Sequence, residues 1–169
     1  MKRPIKNAYW VVPGKFLAGE YPESRDTESA MSKLNDLVSS GITGFIDLTE
    51  ENELLPYSSF LTAASWQRFP IQDFSVPDSP DLTAAALDAV DTHLAQGTMV
   101  YLHCRGGIGR TGVIVGCWLA RHGFKGKAAL ARLRELWKQC PKSAYTRSPE
   151  TREQEDYIVD WMEVRSVSK

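Results

Sequence analysis

The sequence has few cysteines and no long apolar run, and both features exclude classes of protein. Its three cysteines, Cys104, Cys117 and Cys140, form no Cys-x-x-Cys pair, which argues against a disulfide framework and a structural zinc site. No stretch approaches the roughly 20 apolar residues of a membrane-spanning helix. The opening MKRPIKNAYW lacks the apolar centre of a secretory signal. We therefore expect a cytoplasmic protein without a membrane span.

The sequence also lacks a strong charge of either sign. Its formal net charge is -1, and no block of lysine or arginine provides the basic surface of a nucleic-acid-binding protein. Hydrophobic residues make up 43% and charged residues 24% of the 169 residues, which excludes a disordered or fibrous chain. We expect residues 1–169 to form one domain, acting as a monomer without nucleic acid as partner.

Predicted strands alternate with predicted helices along the chain. The pattern favours an α/β fold with a central, largely parallel sheet of about five strands flanked by helices. We expect Asp81 or Thr83 to cap the second helix, and Ser148 to cap the last helix with Pro149 as its first residue. The strands are predicted at 9–12, 15–18, 41–49, 66–71 and 98–104, and the helices at 26–40, 83–95, 110–122, 126–138 and 149–164.

A glycine-rich loop, HCRGGIGRTG, joins the last strand to the following helix. Backbone N–H groups at such a helix start can converge on an anion, and Gly106, Gly107 and Gly109 permit the tight path that this needs. Cys104 and Arg110 stand six positions apart, so the loop can hold one tetrahedral dianion between thiolate and guanidinium. In the alternative interpretation, Cys104 is a small core residue and Arg110 a solvated helix cap.

The order His103, Cys104, Arg110, Thr111, Gly112 resembles the His-Cys-x5-Arg-Thr-Gly signature of the protein tyrosine phosphatase superfamily. The likeness extends from VVPGKFLAGEYP to SPETREQ, and no tyrosine-gripping loop of the tyrosine-specific branch is evident. The chain is therefore similar to the compact, single-domain dual-specificity branch.

This resemblance implies a role for each residue of the loop. Cys104 would be the thiolate nucleophile, and Thr111 would ease departure of its sulfur in a second step. His103 would hold the loop rather than act as a base. No metal or cofactor is expected. The predicted phosphate-binding residues are Arg105, Gly106, Gly107, Ile108, Gly109 and Arg110.

The family takes a proton for the leaving group from an aspartate on a loop ahead of the phosphate loop. Asp73 fits best, because Asp73-x-x-x-Pro77 resembles the end of the Trp-Pro-Asp-x-x-x-Pro loop, although Ile71 and Gln72 replace Trp-Pro. Asp78 is the main alternative and Asp81 another. A further alternative is that Asp73 is an ordinary solvated carboxylate of a loop.

The segment SPETREQ resembles the part of the family in which a glutamine orients the hydrolytic water. In this register Glu150 stands where tyrosine-specific members carry that glutamine, and Gln154 is the second amide. The alternative is that Ser148 and Glu150 simply begin a helix.

The expected activity is hydrolysis of phosphomonoesters through a cysteinyl-phosphate. Phosphotyrosine is the first expected substrate, with phosphoserine and phosphothreonine possible on phosphorylated proteins, and small phosphomonoesters are further candidates. Arg105 beside the nucleophile is expected either to suit a multiply charged substrate or to pair with a surface acid. A phosphoinositide or another non-protein phosphate is the alternative substrate. A phosphate-binding pseudoenzyme and a sulfur-handling enzyme are the other classes that remain open.

Overall fold

Strands and helices alternate along the chain as the sequence pattern predicts. The computed structural model describes residues 1–22 and 27–163, with side chains considered from Met31 onward in the second range. Short 3₁₀ helices lie at Ser58–Phe60 and Pro141–Ala144. The strands are β1 (Ala8–Val12), β2 (Phe16–Gly19), β3 (Ile42–Asp47), β4 (Ser65–Arg68) and β5 (Met99–His103), and the helices are α1 (Thr27–Ser39), α2 (Pro80–Ala95), α3 (Gly109–Arg121), α4 (Lys127–Trp137) and α5 (Arg152–Asp160).

The five strands form one sheet in the order β1-β2-β5-β3-β4. The hairpin β1–β2 is antiparallel, and the pairs β2–β5, β5–β3 and β3–β4 are parallel. The predicted α/β class with a largely parallel sheet is therefore confirmed. Strand β5 lies at the centre with a parallel neighbour on each side, so the loop after it opens at the carboxyl edge of the sheet, where α/β folds bind ligands.

The sheet separates two hydrophobic cores. Successive side chains of a strand point to opposite faces, and β5 shows this: Val100 and Leu102 pack in the core that includes helices α2 to α5. Tyr101 packs on the opposite face, in the core that includes residues of α1. All three side chains are fully buried. This burial on both faces explains the near-continuous apolar run of β5 and fixes the position of His103 at its end.

The start of α2 differs from the prediction that Asp81 or Thr83 caps it. The helix begins at Pro80, and Ser79 is its N-cap, with its side chain accepting a hydrogen bond from the Leu82 N–H at 3.2 Å. Proline fits the first helical position because its missing N–H would have no partner there. Asp81 lies in the first turn, where its negative charge interacts favourably with the helix dipole.

The start of α5 also differs from the prediction. Ser148 is not its N-cap, because the helix begins only at Arg152. Thr151 is the N-cap and forms a capping box with Gln154. The predicted first residue of α1, Asp26, and the predicted last residue of α5, Val164, lie outside the described residues.

Candidate active site

The segment between β5 and α3 forms a loop that other parts of the chain hold by its carbonyl groups. Arg105, Gly106 and Ile108 each accept a hydrogen bond from a residue distant in sequence. No backbone N–H of residues 105–108 donates to a backbone acceptor within the described ranges. The loop amides are therefore available to an anion at the start of α3. The three bonds are Tyr21 N–H to Arg105 O (3.0 Å), Lys142 Nζ to Gly106 O (2.8 Å) and Ser148 Oγ to Ile108 O (2.7 Å).

Two glycines of the loop stand where a side chain would not fit. Gly107 has φ +72°, and a Cβ there would lie 2.3 Å from the backbone carbon of Gly19. A Cβ at Gly109 would lie 2.4 Å from Oε2 of Glu150. The first glycine lets the loop pack against the end of β2, and the second lets a carboxylate approach the start of α3.

Arg110 is held end-on by a carboxylate that the sequence did not identify. Its Nη1 and Nη2 donate to the two carboxylate oxygens of Glu53 at 2.7 and 2.8 Å, and Nη1 also donates to Ile71 O at 3.0 Å. The side chain is buried, and its Nε has no hydrogen-bond partner among the described residues. This bidentate pair fixes the plane of the guanidinium and leaves the Nε edge for an anion.

The charges of Glu53 and Arg110 support each other. Burial alone would lower the pKa of Arg110, but its hydrogen bonds to Glu53 and the negative charges of Cys104, Glu53 and Asp73 outweigh burial and raise that pKa above its usual value. Burial would likewise raise the pKa of Glu53, yet the hydrogen bonds and charge of Arg110 hold it below the usual range. The pair is therefore fully ionised at neutral pH.

We expect Glu53→Gln to lower kcat for an aryl phosphate by about 10- to 100-fold, because a misplaced positioning contact costs on that order. The amide keeps one acceptor but loses the two-oxygen fork. Steady-state kinetics and inhibition by inorganic phosphate would measure the effect, with the exposed Glu51→Gln as matched control. Unchanged kcat with tighter phosphate inhibition would show that Glu53 only neutralises charge.

Asp73 is the loop carboxylate that reaches Arg110. Its Oδ1 lies 3.1 Å from Arg110 Nη2 and accepts the N–H of Phe74 at 3.0 Å. Asp78 and Asp81 are exposed, and neither forms a hydrogen bond or ion pair with the phosphate loop in the part of the chain that the structure describes. The geometry thus favours Asp73 over both alternatives.

Phe74 has an unusual backbone conformation beside this carboxylate. Its φ is +60°, which a bulky side chain rarely adopts, and its ring is 61% exposed. Such strain persists where the surrounding structure imposes it, commonly at functional sites. The result is an exposed aromatic ring directly next to the candidate acid.

Thr111 adds a second buried donor without a partner. Its side chain is fully buried, and its Oγ1 has no hydrogen-bond partner within residues 1–22 and 27–163. Buried polar groups normally have a partner, so an orphaned one indicates a ligand or reacting group. Together with Nε of Arg110, this hydroxyl forms a pair of unpaired buried donors in residues that follow Cys104 on the same loop and helix.

His103 is buried beneath the loop and braced on both ring nitrogens. Nδ1 lies 3.2 Å from Cys104 O, which can only accept, so we assign the proton to Nδ1. Nε2 then accepts from the hydroxyl of Tyr57 at 2.5 Å. Burial lowers the pKa of His103, although the charge of Asp47 opposes this. A neutral imidazole with a hydrogen bond at each ring nitrogen fits the predicted role of His103 in holding the loop.

The two residues of the predicted water-positioning pair differ in their surroundings. Gln154 is fully buried: its Oε1 accepts from the N–H groups of Glu150 and Thr151, and its Nε2 donates to Ser75 O at 3.0 Å. Gln154 therefore ties the Asp73 loop to α5. Burial and the charge of Asp73 raise the pKa of Glu150, and Arg110 only partly offsets them.

Arg105 is exposed at the edge of the loop. It forms no ion pair within 4.0 Å of the acidic side chains that the structure describes, although its charge helps to lower the pKa of Glu53. The interpretation of Arg105 as the partner of a surface acid therefore has no support in these contacts.

The described residues contain no group of three or more His, Cys, Asp or Glu side chains that could hold a metal. In the same ranges, none of the helices is long and apolar enough to cross a membrane.

All three cysteines are free and buried, and burial raises the pKa values of Cys117 and Cys140. Neither of these two thiols has the surroundings of an activated nucleophile.

The chain matches a family model described as Swiss Army Knife protein, DSP-PTPase phosphatase domain, over residues 5–158. Protein 067L of Invertebrate iridescent virus 3, which is provisionally named as a tyrosine phosphatase, is 32% identical to this chain over 119 residues. The aligned segment covers 69% of this chain and 47% of the viral protein. The chain spans about half the length of this relative and of two uncharacterised proteins of Methanocaldococcus jannaschii.

Solved structures share the fold at low sequence identity. Tk-PTP in its active form superimposes with a TM-score of 0.73 at 22% identity, covering 90% of this chain and 93% of that chain. PTPMT1 in complex with PI(5)P gives a TM-score of 0.66 at 16% identity, covering 89% and 92%. Likeness at these identities establishes the fold and leaves the substrate to be argued from the site.

Proposed function

The chain belongs to the dual-specificity branch of the protein tyrosine phosphatase superfamily, and on that premise we propose that it hydrolyses phosphotyrosine through a cysteinyl-phosphate on Cys104. One observation carries the proposal. Nε of Arg110 and Oγ1 of Thr111 are buried without an acceptor among the described residues, beside loop amides that make no backbone hydrogen bond there. A phosphate dianion supplies the acceptors that Arg110 and the amides need, and the sulfur of Cys104 is the proposed acceptor for Thr111.

In the first step the Cys104 thiolate attacks phosphorus, and the bond from phosphorus to the ester oxygen breaks. The Arg110 guanidinium and the loop amides hold the equatorial oxygens as charge spreads over them. Asp73 gives its proton to the departing oxygen, which leaves as an alcohol or phenol. Glu53 keeps Arg110 oriented throughout, because it binds the end of the guanidinium and not the Nε edge.

In the second step water attacks the cysteinyl-phosphate, and the sulfur–phosphorus bond breaks. Thr111 donates its hydroxyl hydrogen bond to the departing sulfur. Glu150 orients the water and accepts its proton, since its carboxylate lies against Gly109 at the loop. The amide oxygen of Gln154 already accepts two backbone N–H groups, so its contribution is to hold Glu150 and the acid loop in place.

An aryl ester is favoured by the exposed ring of Phe74. This ring follows Asp73 directly and is 61% exposed, so it can pack against the aromatic ring of a phosphotyrosine whose phosphate lies in the loop. A phosphoserine or phosphothreonine would lack this contact. Arg105, exposed and without an ion pair among the described acids, favours the phosphoinositide alternative as the second candidate.

A panel of matched substrates tests these assignments. We would measure kcat/KM for phosphotyrosine, phosphoserine and phosphothreonine in one peptide sequence and for a set of phosphoinositides. The highest kcat/KM on phosphotyrosine supports the proposal, and Phe74→Ala should reduce it more than it reduces hydrolysis of phosphoserine. A higher kcat/KM on a phosphoinositide, reduced by Arg105→Ala, would replace the protein substrate by a lipid. Binding of all phosphopeptides without turnover would identify a pseudoenzyme.

We expect Glu150→Gln to slow the second step by about 10- to 100-fold, at the low end for a missing general base. Rapid-quench kinetics with an aryl phosphate should then show a burst of phenol of about one equivalent per enzyme. A general base must be deprotonated, so the rate of the second step should fall as the pH is lowered through the pKa of Glu150. Because that pKa is raised, the fall should begin at a higher pH than for an ordinary carboxylate, and the variant should not show it. Unchanged turnover without a burst would remove Glu150 from the mechanism.

A further inference from the structure

A cleft of about 380 Å³ lies between the end of the acid loop and α5, outside the residues assigned to catalysis. We call it the α5 groove. Apolar and acidic side chains line it, and none of its lining residues in the described chain is a lysine or arginine. Its lining includes Val76, Tyr157, Trp161, Glu153, Asp156 and Asp160.

The aromatic part of the groove is held in place. The rings of Tyr157 and Trp161 stack at 24° with 5.9 Å between their centroids, and the Tyr157 hydroxyl hydrogen-bonds with Thr83 Oγ1 at 2.7 Å. Both side chains are only partly buried. The groove therefore presents ordered aromatic surface, to which the stem of a long side chain and its cationic head can both bind.

Two of the three acidic residues of the groove, Asp156 and Asp160, contribute little to the stability of the helix, whereas Glu153 lies in its first turn. Asp160 is the last residue of α5, where the helix dipole disfavours a carboxylate, and the last turn contains no basic residue. Asp156 has a single long ion-pair contact, 3.8 Å to Arg152, and 64% of its side chain is exposed. Two carboxylates thus remain available to a cation at the edge of the aromatic surface.

The acid loop links the groove to the active site along the chain. Val76 lines the groove and lies three residues after Asp73, whose Oδ1 contacts Arg110 at 3.1 Å. Gln154 on α5 donates to Ser75 O in the same loop. A peptide whose phosphorylated residue occupies the phosphate loop can therefore extend along the acid loop into the groove.

We propose that the α5 groove binds a lysine or arginine side chain of the phosphoprotein substrate, a few residues from the phosphorylated residue. This rests on the proposed phosphatase function and adds a substrate class, phosphoproteins with a basic flanking residue. The charge complementarity between an acidic, aromatic groove and a cation selects this occupant over an apolar or acidic one.

Binding of phosphotyrosine peptides to Cys104→Ser protein tests the proposal without requiring turnover. Labelled peptides would carry Lys, Glu, Leu or Ala at each of the positions flanking the phosphotyrosine, and fluorescence anisotropy would give each Kd. We expect Lys at one position to bind about tenfold more tightly than Glu, from one cation–π contact and exposed ion pairs. The ratio should shrink at high salt.

Asp156→Asn with Asp160→Asn should reduce the Lys-to-Glu ratio to about 2- to 5-fold, because the exposed ion pairs are lost and the cation–π contact remains. The matched control removes two exposed carboxylates elsewhere, Asp36→Asn with Glu135→Gln, and should keep the full ratio. Tightest binding of Leu, equal binding of all four peptides, or equal loss in the control would overturn the proposal. Wild-type hydrolysis of p-nitrophenyl phosphate reports separately on the proposed function, and the groove variant should leave it unchanged.

Discussion

Cys104→Ser is expected to lower turnover of an aryl phosphate by about 10⁵-fold or more, the scale on which removal of a covalent nucleophile acts. A serine hydroxyl, unlike the proposed thiolate, is not ionised at neutral pH and is therefore a much weaker nucleophile. Affinity for inorganic phosphate should change little, because the loop amides and Arg110 remain. Steady-state turnover and isothermal titration with phosphate would measure both quantities.

The covalent intermediate provides a separate check on Cys104. Acid-quenched wild-type protein, mixed with an aryl phosphate, should carry one phosphoryl group on the peptide that contains Cys104. The same experiment on Cys104→Ser should show no adduct. Substantial turnover by purified Cys104→Ser protein, or an adduct on Cys117 or Cys140, would be incompatible with the proposed mechanism.

Asp73→Asn is expected to cost about 10²- to 10⁴-fold in kcat/KM for an alkyl phosphate, the usual contribution of a general acid. The loss should be much smaller for an aryl phosphate with an acidic phenol, which departs without a proton. A plot of log(kcat/KM) against the leaving-group pKa should therefore be steeper for the variant than for the wild type.

The contact between Asp73 and Arg110 places this carboxylate at the phosphate loop. A phosphate dianion in the loop would compete with Asp73 for Nη2 of Arg110. Asp78→Asn is the matched control and should behave like the wild type. If Asp78→Asn steepened the leaving-group dependence and Asp73→Asn did not, Asp78 would be the acid.

The phosphate loop could be predicted from sequence because its chemistry is local. A buried strand, three glycines and the Cys104–Arg110 spacing lie within one short segment. General physical principles explain why an anion-binding loop needs each of them. The alternation of strands and helices likewise gave the fold class. Neither inference needed contacts between distant parts of the chain.

The helix starts show where local reasoning was insufficient. Ser79-Pro80 and Ser148-Pro149 have the same pattern of a capping residue before proline, yet only the first begins a helix. In the second case, Thr151 and Gln154 form the capping box and α5 begins at Arg152. The Thr-x-x-Gln spacing was readable in the sequence and would have identified this start.

Glu53 could not have been predicted, because nothing local marks it. It lies in a stretch without clear periodicity after β3 and meets Arg110 only through the tertiary fold, 57 positions along the chain. The same holds for Tyr57, which reaches His103 across 46 positions. Two residues that orient the predicted site therefore come from this unpatterned segment, whereas the predicted nucleophile and the phosphate-binding arginine come from the motif.

The left-handed backbone conformation of Phe74 affects stability and the proposed activity in opposite directions. Glycine adopts this conformation without strain, so Phe74→Gly should leave the free energy of unfolding unchanged or raise it by up to about 1 kcal/mol, the low end of such strain. The same change removes the ring that we propose packs on the substrate. Selection of variants for heat resistance alone would then favour glycine at this position, whereas selection for phosphotyrosine hydrolysis would restore the aromatic residue.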